Sequence, residues 1–587
     1  MRWRSLPQFA LLVALLLVLG AGLLYPIWLT IRGGFQGADG GFTLDHIRMI
    51  VADPVQRESL FNSFLIACVT TALATAIALP LATVSAKFDY PLKRTLGALI
   101  LVPMILPPFV GAIGLHHLLG RAGAINTILI QLGLLDPSGG GIDFIGRGGF
   151  WAVCAIQALA LYPIIYLNAT AALANLDPAL EEAAENLGAG WWRRYARIVL
   201  PLIRPGLFAG ATIVFIWAFT ELGTPLMFEY NRVAPVQIFN GLKEMETSRT
   251  PYALTAVMLL GAVMFYIIGK FVFGGRSYAM YSKAAVQSAA VGLRGWRGWL
   301  AALLFIAVIA IAILPHLSVV LVSLGVEGTW YHSIIPQRFT LEHYDAALSH
   351  PLAVGSIRNS LFYATMAVVV DLVLGIMIGY LVVRTRLPGR NVLDALAMLP
   401  LAVPGLVMAF GYVAMTLRWP FQPMVDAQGN EIAPALLGWI NVIGATPNPI
   451  PLLIMAFAVR RLPYIVRAVA AGLEQTSVEL EEAALNLGAT RFATIRRIVL
   501  PLIAANLIAG ALLTFSFAML EVSDSLILAQ REQHYPVTKA IYVLFERLGD
   551  GQPIASAMGV WAMALLAVTL IGASLLIGRK MGAIFRV

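Results

Sequence analysis

Twelve long apolar segments divide this chain, and they constrain its fold more than any other feature. They fall near 8–31, 60–86, 95–119, 149–174, 206–227 and 251–274, then near 299–325, 357–383, 391–417, 449–472, 503–528 and 554–578. About 20 mostly apolar residues carry a helix across roughly 30 Å of hydrocarbon. With 59% of its 587 residues hydrophobic and 12% charged, the chain has about half the charge of an ordinary soluble domain. A soluble enzyme, a disordered chain and a nucleic-acid binder are excluded on these grounds. The expected class is an all-α membrane protein of about 12 transmembrane helices embedded in a lipid bilayer.

The net charge of +9 is read as topology, since cytoplasmic loops accumulate Lys and Arg. With the N-terminus inside, the cytoplasmic pieces include 87–94, 275–298, 384–390 and the tail after Gly578. Together with Arg2, Arg4 and Lys270 they hold about sixteen Lys/Arg against one acid, Asp89. Both termini are therefore expected in the cytoplasm. The apolar run at the N-terminus is too long for a signal peptide and lacks a small-x-small cleavage site, so it reads as an uncleaved span. Cys68 and Cys154 lie in apolar runs and read as buried thiols.

The chain repeats itself. Residues 180–210 and 480–510 align without a gap, 19 of 31 positions being identical. Upstream, Asn62-Ser63 matches Asn359-Ser360, and Pro91, Pro103 and Pro107 match Pro388, Pro400 and Pro404, all at an offset of 297. Pro163 matches Pro463 and Glu221 matches Glu521 at 300. Six spans per half give both halves the same orientation, so this is a parallel repeat. The expected domains are 1–274 and 299–587, joined by a polar, basic cytoplasmic linker at 275–298.

The repeated segment lies in the fourth loop of each half, on the cytoplasmic side by parity. It opens with the helix formers Glu181-Glu182-Ala183-Ala184 or Glu481-Glu482-Ala483-Ala484. Gly188 or Gly488 stands where positive φ ends a short helix. Arginines then lead into Ile-Val-Leu-Pro-Leu-Ile, with proline at a first helical turn. A short helix held between two membrane helices suits the transfer of force from a soluble partner.

The spacing Glu-Ala-Ala, three residues, Gly, nine residues, Ile, one residue, Leu-Pro resembles the signature loop of binding-protein-dependent ABC importer permeases. It occurs twice without departure: Glu182-Ala183-Ala184, Gly188, Ile198 and Leu200-Pro201; then Glu482-Ala483-Ala484, Gly488, Ile498 and Leu500-Pro501. The whole chain is similar to the fused permeases of ferric-iron, thiamine and aminoalkylphosphonate importers. The resemblance implies a type I ABC importer permease fold in the bacterial inner membrane. It also implies a transport subunit that is no enzyme and binds no cofactor itself, ATP and Mg being held by the partner. The implied partners are two copies of a cytoplasmic ABC ATPase, one per loop, and a periplasmic or lipid-anchored solute-binding protein. Nucleic acid is not among them. No GxxxxGK[ST] phosphate loop occurs in the sequence, in keeping with a separate ATPase. The expected cargo is ferric iron, with phosphonate, thiamine or another small solute as alternatives. A twelve-span secondary transporter is the competing class. Its Gly-x-x-x-Asp-Arg-x-Gly-type loop after span two is replaced here by KFDYPLKR.

Ionisable residues inside spans are costly and are candidates for the translocation pathway or its gate. Glu221 and Glu521 sit about 15 residues into the helix that follows each repeated loop, and Asp524 adds a second acid on one side. The alternative for the pair is a cap at helix ends or a tie between halves. Arg460 and Arg461 interrupt an apolar run where the first half has Ala160 and Leu161. They either attract an anionic substrate or pair with an acid such as Asp371 or Glu521. Asp371 itself stands where the first half has Ala74. Adjacent His116 and His117 point about 100° apart on a helix and make a polar helix end rather than a joint metal site. No other metal cluster is assigned. The proline pairs are expected to bend their helices.

Overall fold

The computed structural model describes residues 6–37, 40–146, 149–273, 291–426, 430–444, 446–547 and 549–577. Residues 275–290 of the expected linker, Arg2 and Arg4, and the tail after Gly578 lie outside them. Eight of the described helices are long and apolar enough to cross a bilayer, eleven if each bent pair counts as one span. The twelfth expected segment is the helix Ile450–Glu474, which three arginines, Arg460, Arg461 and Arg467, make less apolar. It spans 25 residues, as does its repeat counterpart Phe150–Ala174.

Proline chemistry accounts for two of the bends. Pro404 is extended (ψ 134°) at the head of Gly405–Thr416, and the helix before it turns by 104° there. Pro107 does the same at the head of Pro108–Leu119. A proline has no N–H to continue the ladder, and it pushes the preceding residue out of the helical region. A third bend, 76° at Ile503, has no partner in the first repeat, where Leu200–Thr220 runs unbroken through Pro205.

The chain forms two compact units that interleave the repeats. One holds Met1–Arg57, Gln237–Val257 and Glu342–Ile584; the other holds Glu58–Val236 and Met258–Leu341. The first span of each repeat thus packs among residues of the other repeat. In the first unit, Leu12, Leu15 and Leu19 pack with Ile378, Leu381, Leu393, Leu462 and Val466. Farther along, a Cβ on Gly411 would stand 2.7 Å from the carbonyl oxygen of Pro26. Pro26 leaves the carbonyl of Gly22 without its helical donor, and the Tyr412 hydroxyl donates to that oxygen at 2.8 Å.

The second unit repeats the device. The span Trp296–Leu324 lies on Pro108–Leu119, and a Cβ on Gly114 would stand 2.0 Å from the carbonyl oxygen of Pro315. Gly114 and Gly411 are equivalent at the 297 offset. Ser318 Oγ donates to the Gly114 carbonyl at 3.0 Å, and His316 Nε2 lies 3.2 Å from the Pro107 carbonyl. In both units a bare glycine backbone admits the proline-bearing turn of its partner helix.

Candidate functional site

Both Glu-Ala-Ala segments fold as short capped helices. In the first, Asp177 accepts from the amide of Ala179 at 2.9 Å and Pro178 opens Pro178–Asn186. In the second, Ser477 accepts from Glu479 at 3.1 Å and opens Val478–Asn486. Such caps satisfy amides that the first turn leaves bare. Gly188 (φ +79°) and Gly488 (φ +86°) then turn left-handed. The amides of Ala189 and Ala489 return to the carbonyls of Ala184 and Ala484 at 3.0 Å, the six-to-one bond of a glycine-ended helix.

Beyond each cap one turn of α-helix widens into a π-turn, Tyr195–Val199 or Ile495–Val499, directly before Leu-Pro. The amide of Leu200 bonds back to Tyr195, and that of Leu500 to Ile495. The wider turn precedes Pro201 and Pro501, which have no N–H of their own to donate.

One face of each short helix is bare. Glu182, Ala183, Glu482 and Ala483 are exposed, and Leu187 and Leu487 are each 89% exposed. Trp192 and Phe492, both 75% exposed, continue this face. Two matching apolar faces of this kind on capped helices are suited to a protein partner.

The first glutamate of each motif faces the other way. Lys87 Nζ donates to both carboxylate oxygens of Glu181, at 2.8 and 2.6 Å. Arg384 Nε donates to Glu481 at 2.7 Å and the Tyr380 hydroxyl donates to the same carboxylate at 3.1 Å. Arg384 Nη2 also reaches the carbonyls of Leu473 and Thr476 and the Thr476 hydroxyl, at 2.9–3.0 Å. Lys87 and Arg384 close the helices Pro54–Lys87 and Pro351–Arg384, each of 34 residues. Sequence reasoning counted them only as topology charges. The 297 offset that aligns Asn62 with Asn359 also aligns these two, and that was the available signal.

The acids that follow the loops take up different surroundings in the two units. Leu200–Thr220 ends just before Glu221, whose carboxylate accepts from the Thr224 amide at 3.3 Å and from its hydroxyl at 3.4 Å. It caps the next short helix, Gly223–Met227. Glu521 follows the helix Ala504–Met519 and is ion-paired with Arg461 and, at 3.4 Å, with Arg460. Asp524 lies 3.9 Å from Arg460 in the first turn of Ser523–Leu528. Both arginines come from Ile450–Glu474. Arg461 also donates to the Phe517 carbonyl at 3.2 Å and lies over the Phe517 ring.

Of the two acids expected as arginine partners, Glu521 is thus the one that pairs. Asp371, wholly buried, has no hydrogen-bond partner for either oxygen among the described residues. Gly405 was not foreseen. A Cβ there would fall 1.0 Å from Arg460 Nη1, so the guanidinium occupies the place of a side chain. His116 lies 3.0 Å from the Met227 carbonyl and stacks on Phe228, while His117 stacks on Trp330. Among the described residues no three His, Cys, Asp or Glu side chains converge on a metal site.

Each half of the chain, over residues 78–276 and 371–581, matches the family described as binding-protein-dependent transport system inner membrane component. The chain is 27% identical over 526 residues to the ferric transport system permease protein FbpB of Actinobacillus pleuropneumoniae, covering 87% of this chain and 69% of that one. It is 26% identical over 553 residues to putative ferric transport system permease protein FbpB 1 of Haemophilus influenzae, covering 92% and 80%. A solved bacterial ABC transporter involved in the import of the acidic polysaccharide alginate overlaps 46% of this chain and 96% of its own, at 16% identity and a TM-score of 0.37.

Proposed function

The chain belongs to the family of binding-protein-dependent transport inner membrane components, with one family domain in each half, and we propose that its cargo is ferric iron. It is a multi-pass permease subunit of an ABC importer. The cargo reading is supported by relatives named as ferric permeases that align over 87% and 92% of this chain. A solute-binding protein hands the ion over, and alternating access driven by a separate ATPase carries it inward. ATP and Mg reside on that partner, and the permease holds neither. Two ATPase copies dock, one on each Glu-Ala-Ala helix. The permease sits in the bacterial inner membrane with both termini in the cytoplasm.

One observation carries the docking reading: two capped helices, 300 residues apart, expose the same face, with Leu187 and Leu487 at 89%. An apolar residue so placed on both copies is stabilised only when something covers it. The polar groups around Glu221, Glu521 and Asp524 follow the helices that leave these loops, so movement of a loop reaches Glu221 through one unbroken helix, and Glu521 and Asp524 through two segments joined at the Ile503 bend. Glu221 and Glu521 are assigned to the pathway or its gate. Asp524 offers the hard oxygen donors that suit a hard cation. Arg460, Arg461 and Asp371 are assigned to the pathway with Glu521 and Asp524.

The test is purification of the tagged chain co-expressed with its neighbouring ATPase, with uptake of radiolabelled ferric iron in the same cells. The ATPase should co-purify, and Glu182→Lys with Glu482→Lys should abolish both retention and uptake. Unchanged uptake in that double variant would sink the docking reading. ATPase retention without any iron uptake would sink only the cargo.

A further inference from the structure

We propose that the second span of each repeat is a transmission rod, pinned to the ATPase-docking helix at one end and to the segment beyond the gate acid at the other. The inner pins are Lys87 and Arg384; the outer pins are Asn62-Ser63 and Asn359-Ser360. The inference rests on the reading that the Glu-Ala-Ala helices dock an ATPase.

The rods are long. At about 1.5 Å per residue, 34 residues make roughly 51 Å, well beyond about 30 Å of hydrocarbon. Each helix therefore has an overhang that reaches the loop. A basic residue ending a helix has a plain explanation in the helix dipole and in topology, but neither requires a specific carboxylate. Here Lys87 and Arg384 each hold the first glutamate of a Glu-Glu-Ala-Ala motif, and the Arg384–Glu481 pair is nearly dry, with 9% and 8% of the side chains exposed. Such a pair is costly to break from one side.

The arrangement recurs despite a change in the chain between its ends. Lys87 and Glu181 are 94 residues apart, Arg384 and Glu481 97. Three residues have been gained or lost in between, and the contact is the same. A second tie lies one turn before each pin. Thr83 Oγ1 is 3.0 Å from the hydroxyl of Tyr195 in the π-turn, and the equivalent Tyr380 bonds Glu481. Positions i and i+4 share one helix face, so the rod grips the loop by one side.

The outer ends match too. Asn62 Nδ2 donates to the Arg232 carbonyl at 2.9 Å, and Ser63 Oγ accepts from the Ala234 amide at 2.9 Å. Asn359 Nδ2 donates to the carbonyls of Gln533 and Tyr535 at 2.9 and 3.1 Å, and Ser360 Oγ accepts from the Val537 amide at 2.7 Å. These backbone groups follow Glu221 and Glu521 by 11 to 16 residues. From Ser63 to Lys87, as from Ser360 to Arg384, the rod covers about 36 Å. A continuous helix tied at both ends, unbroken even through Pro80 in the first repeat, moves both ends together, which is the physical content of coupling between distant sites.

The experiment uses the full chain with its ATPase in membranes. A reporter, Glu532→Cys, is placed at the exposed loop beside the outer pin, with Cys68→Ser and Cys154→Ala removing the native thiols. Its maleimide labelling rate is compared with and without a non-hydrolysable ATP analogue plus Mg. In the reporter chain the nucleotide should change the rate severalfold. Arg384→Gln should cut that response at least fivefold while retaining the ATPase. Asn359→Ala with Ser360→Ala, at the far end of the rod, should do the same. Arg384→Glu combined with Glu481→Arg should restore at least half of the response. An undiminished response in the variants of either pin would overturn the proposal. So would loss of the ATPase in Arg384→Gln, because the pair would then serve docking. ATPase retention by the unsubstituted chain is scored in the same preparations, and its absence there would sink the docking reading alone.

Discussion

Arg461 belongs to a buried ion pair, and its loss carries a cost. Its guanidinium neutralises Glu521, which is 4% exposed. Removing one member of a buried pair strands the other, at a cost of about 3–5 kcal/mol, whereas replacing both with apolar residues is often neutral. Arg461→Leu, which leaves Glu521 only the more distant Arg460, is therefore expected to lower the melting temperature of the purified protein, and Arg461→Leu with Glu521→Leu, which leaves Arg460 beside Asp524, to recover most of the loss. A double variant no better than the single one would show that the pair is not the cause. Gly405 offers a second prediction at this scale. Gly405→Ala must displace the Arg460 guanidinium and is expected to cost about 1–3 kcal/mol by overpacking. Adding Arg460→Ala should relieve that penalty, which a denaturation series on the four proteins would read out. The sequence could propose that the arginines pair with an acid, because lone charges in apolar runs need partners. It could not choose Glu521 over Asp371. That choice depends on how Ile450–Glu474 is rotated against its neighbours, and residue types do not encode the rotation.

The elements were more legible than their contacts. Caps, glycine stops and Leu-Pro starts follow from local chemistry, so both Glu-Ala-Ala helices were readable from residues alone. Proline bends were readable for the same reason. The 76° bend at Ile503 was not, since no proline distinguishes it and its repeat counterpart carries Pro205 without breaking. The glycine–proline crossings were also hidden, because each joins a helix of one repeat to a first span from the other. They yield a controlled prediction. Gly114→Ala would put a methyl 2.0 Å from the Pro315 carbonyl oxygen, while nothing lies within 4 Å of a methyl at Gly97. In a helix the alanine is intrinsically better by about 0.5–1 kcal/mol. Gly97→Ala should thus be neutral or slightly stabilising, and Gly114→Ala clearly destabilising, as measured by thermal unfolding in detergent. Equal effects would mean that the close crossing does not constrain the helix.

At the scale of the whole molecule, the two compact units do not coincide with the order of the repeats along the chain. The family matches begin at 78 and 371, downstream of the first span of each repeat, and those first spans, together with Gln237–Val257, pack in the other repeat's unit. Repeat arithmetic finds two halves but is blind to the exchange, since a duplicated sequence packs equally well on itself or on its copy. A chain ending within 275–290 would keep Leu12, Leu15 and Leu19 but lose Ile378, Leu393 and Leu462, their partners. Expressed alone, that half is expected to be degraded or aggregated. Co-expressed with the remainder, it should be recovered as a co-purifying pair. A stable, monodisperse N-terminal half by size exclusion would contradict the exchanged packing.

That exchange also has a consequence in time. The first span leaves the ribosome hundreds of residues before Ile378, Leu462 and Val466 exist. At about 5–20 residues per second, it waits on the order of half a minute in the membrane with its packing face against lipid or a translocation chaperone. The newborn N-terminus is thus a long-lived intermediate by design of the fold. Its fate is settled only when more than half of the second repeat has been made, and joining both repeats in one polypeptide keeps the right partner at hand.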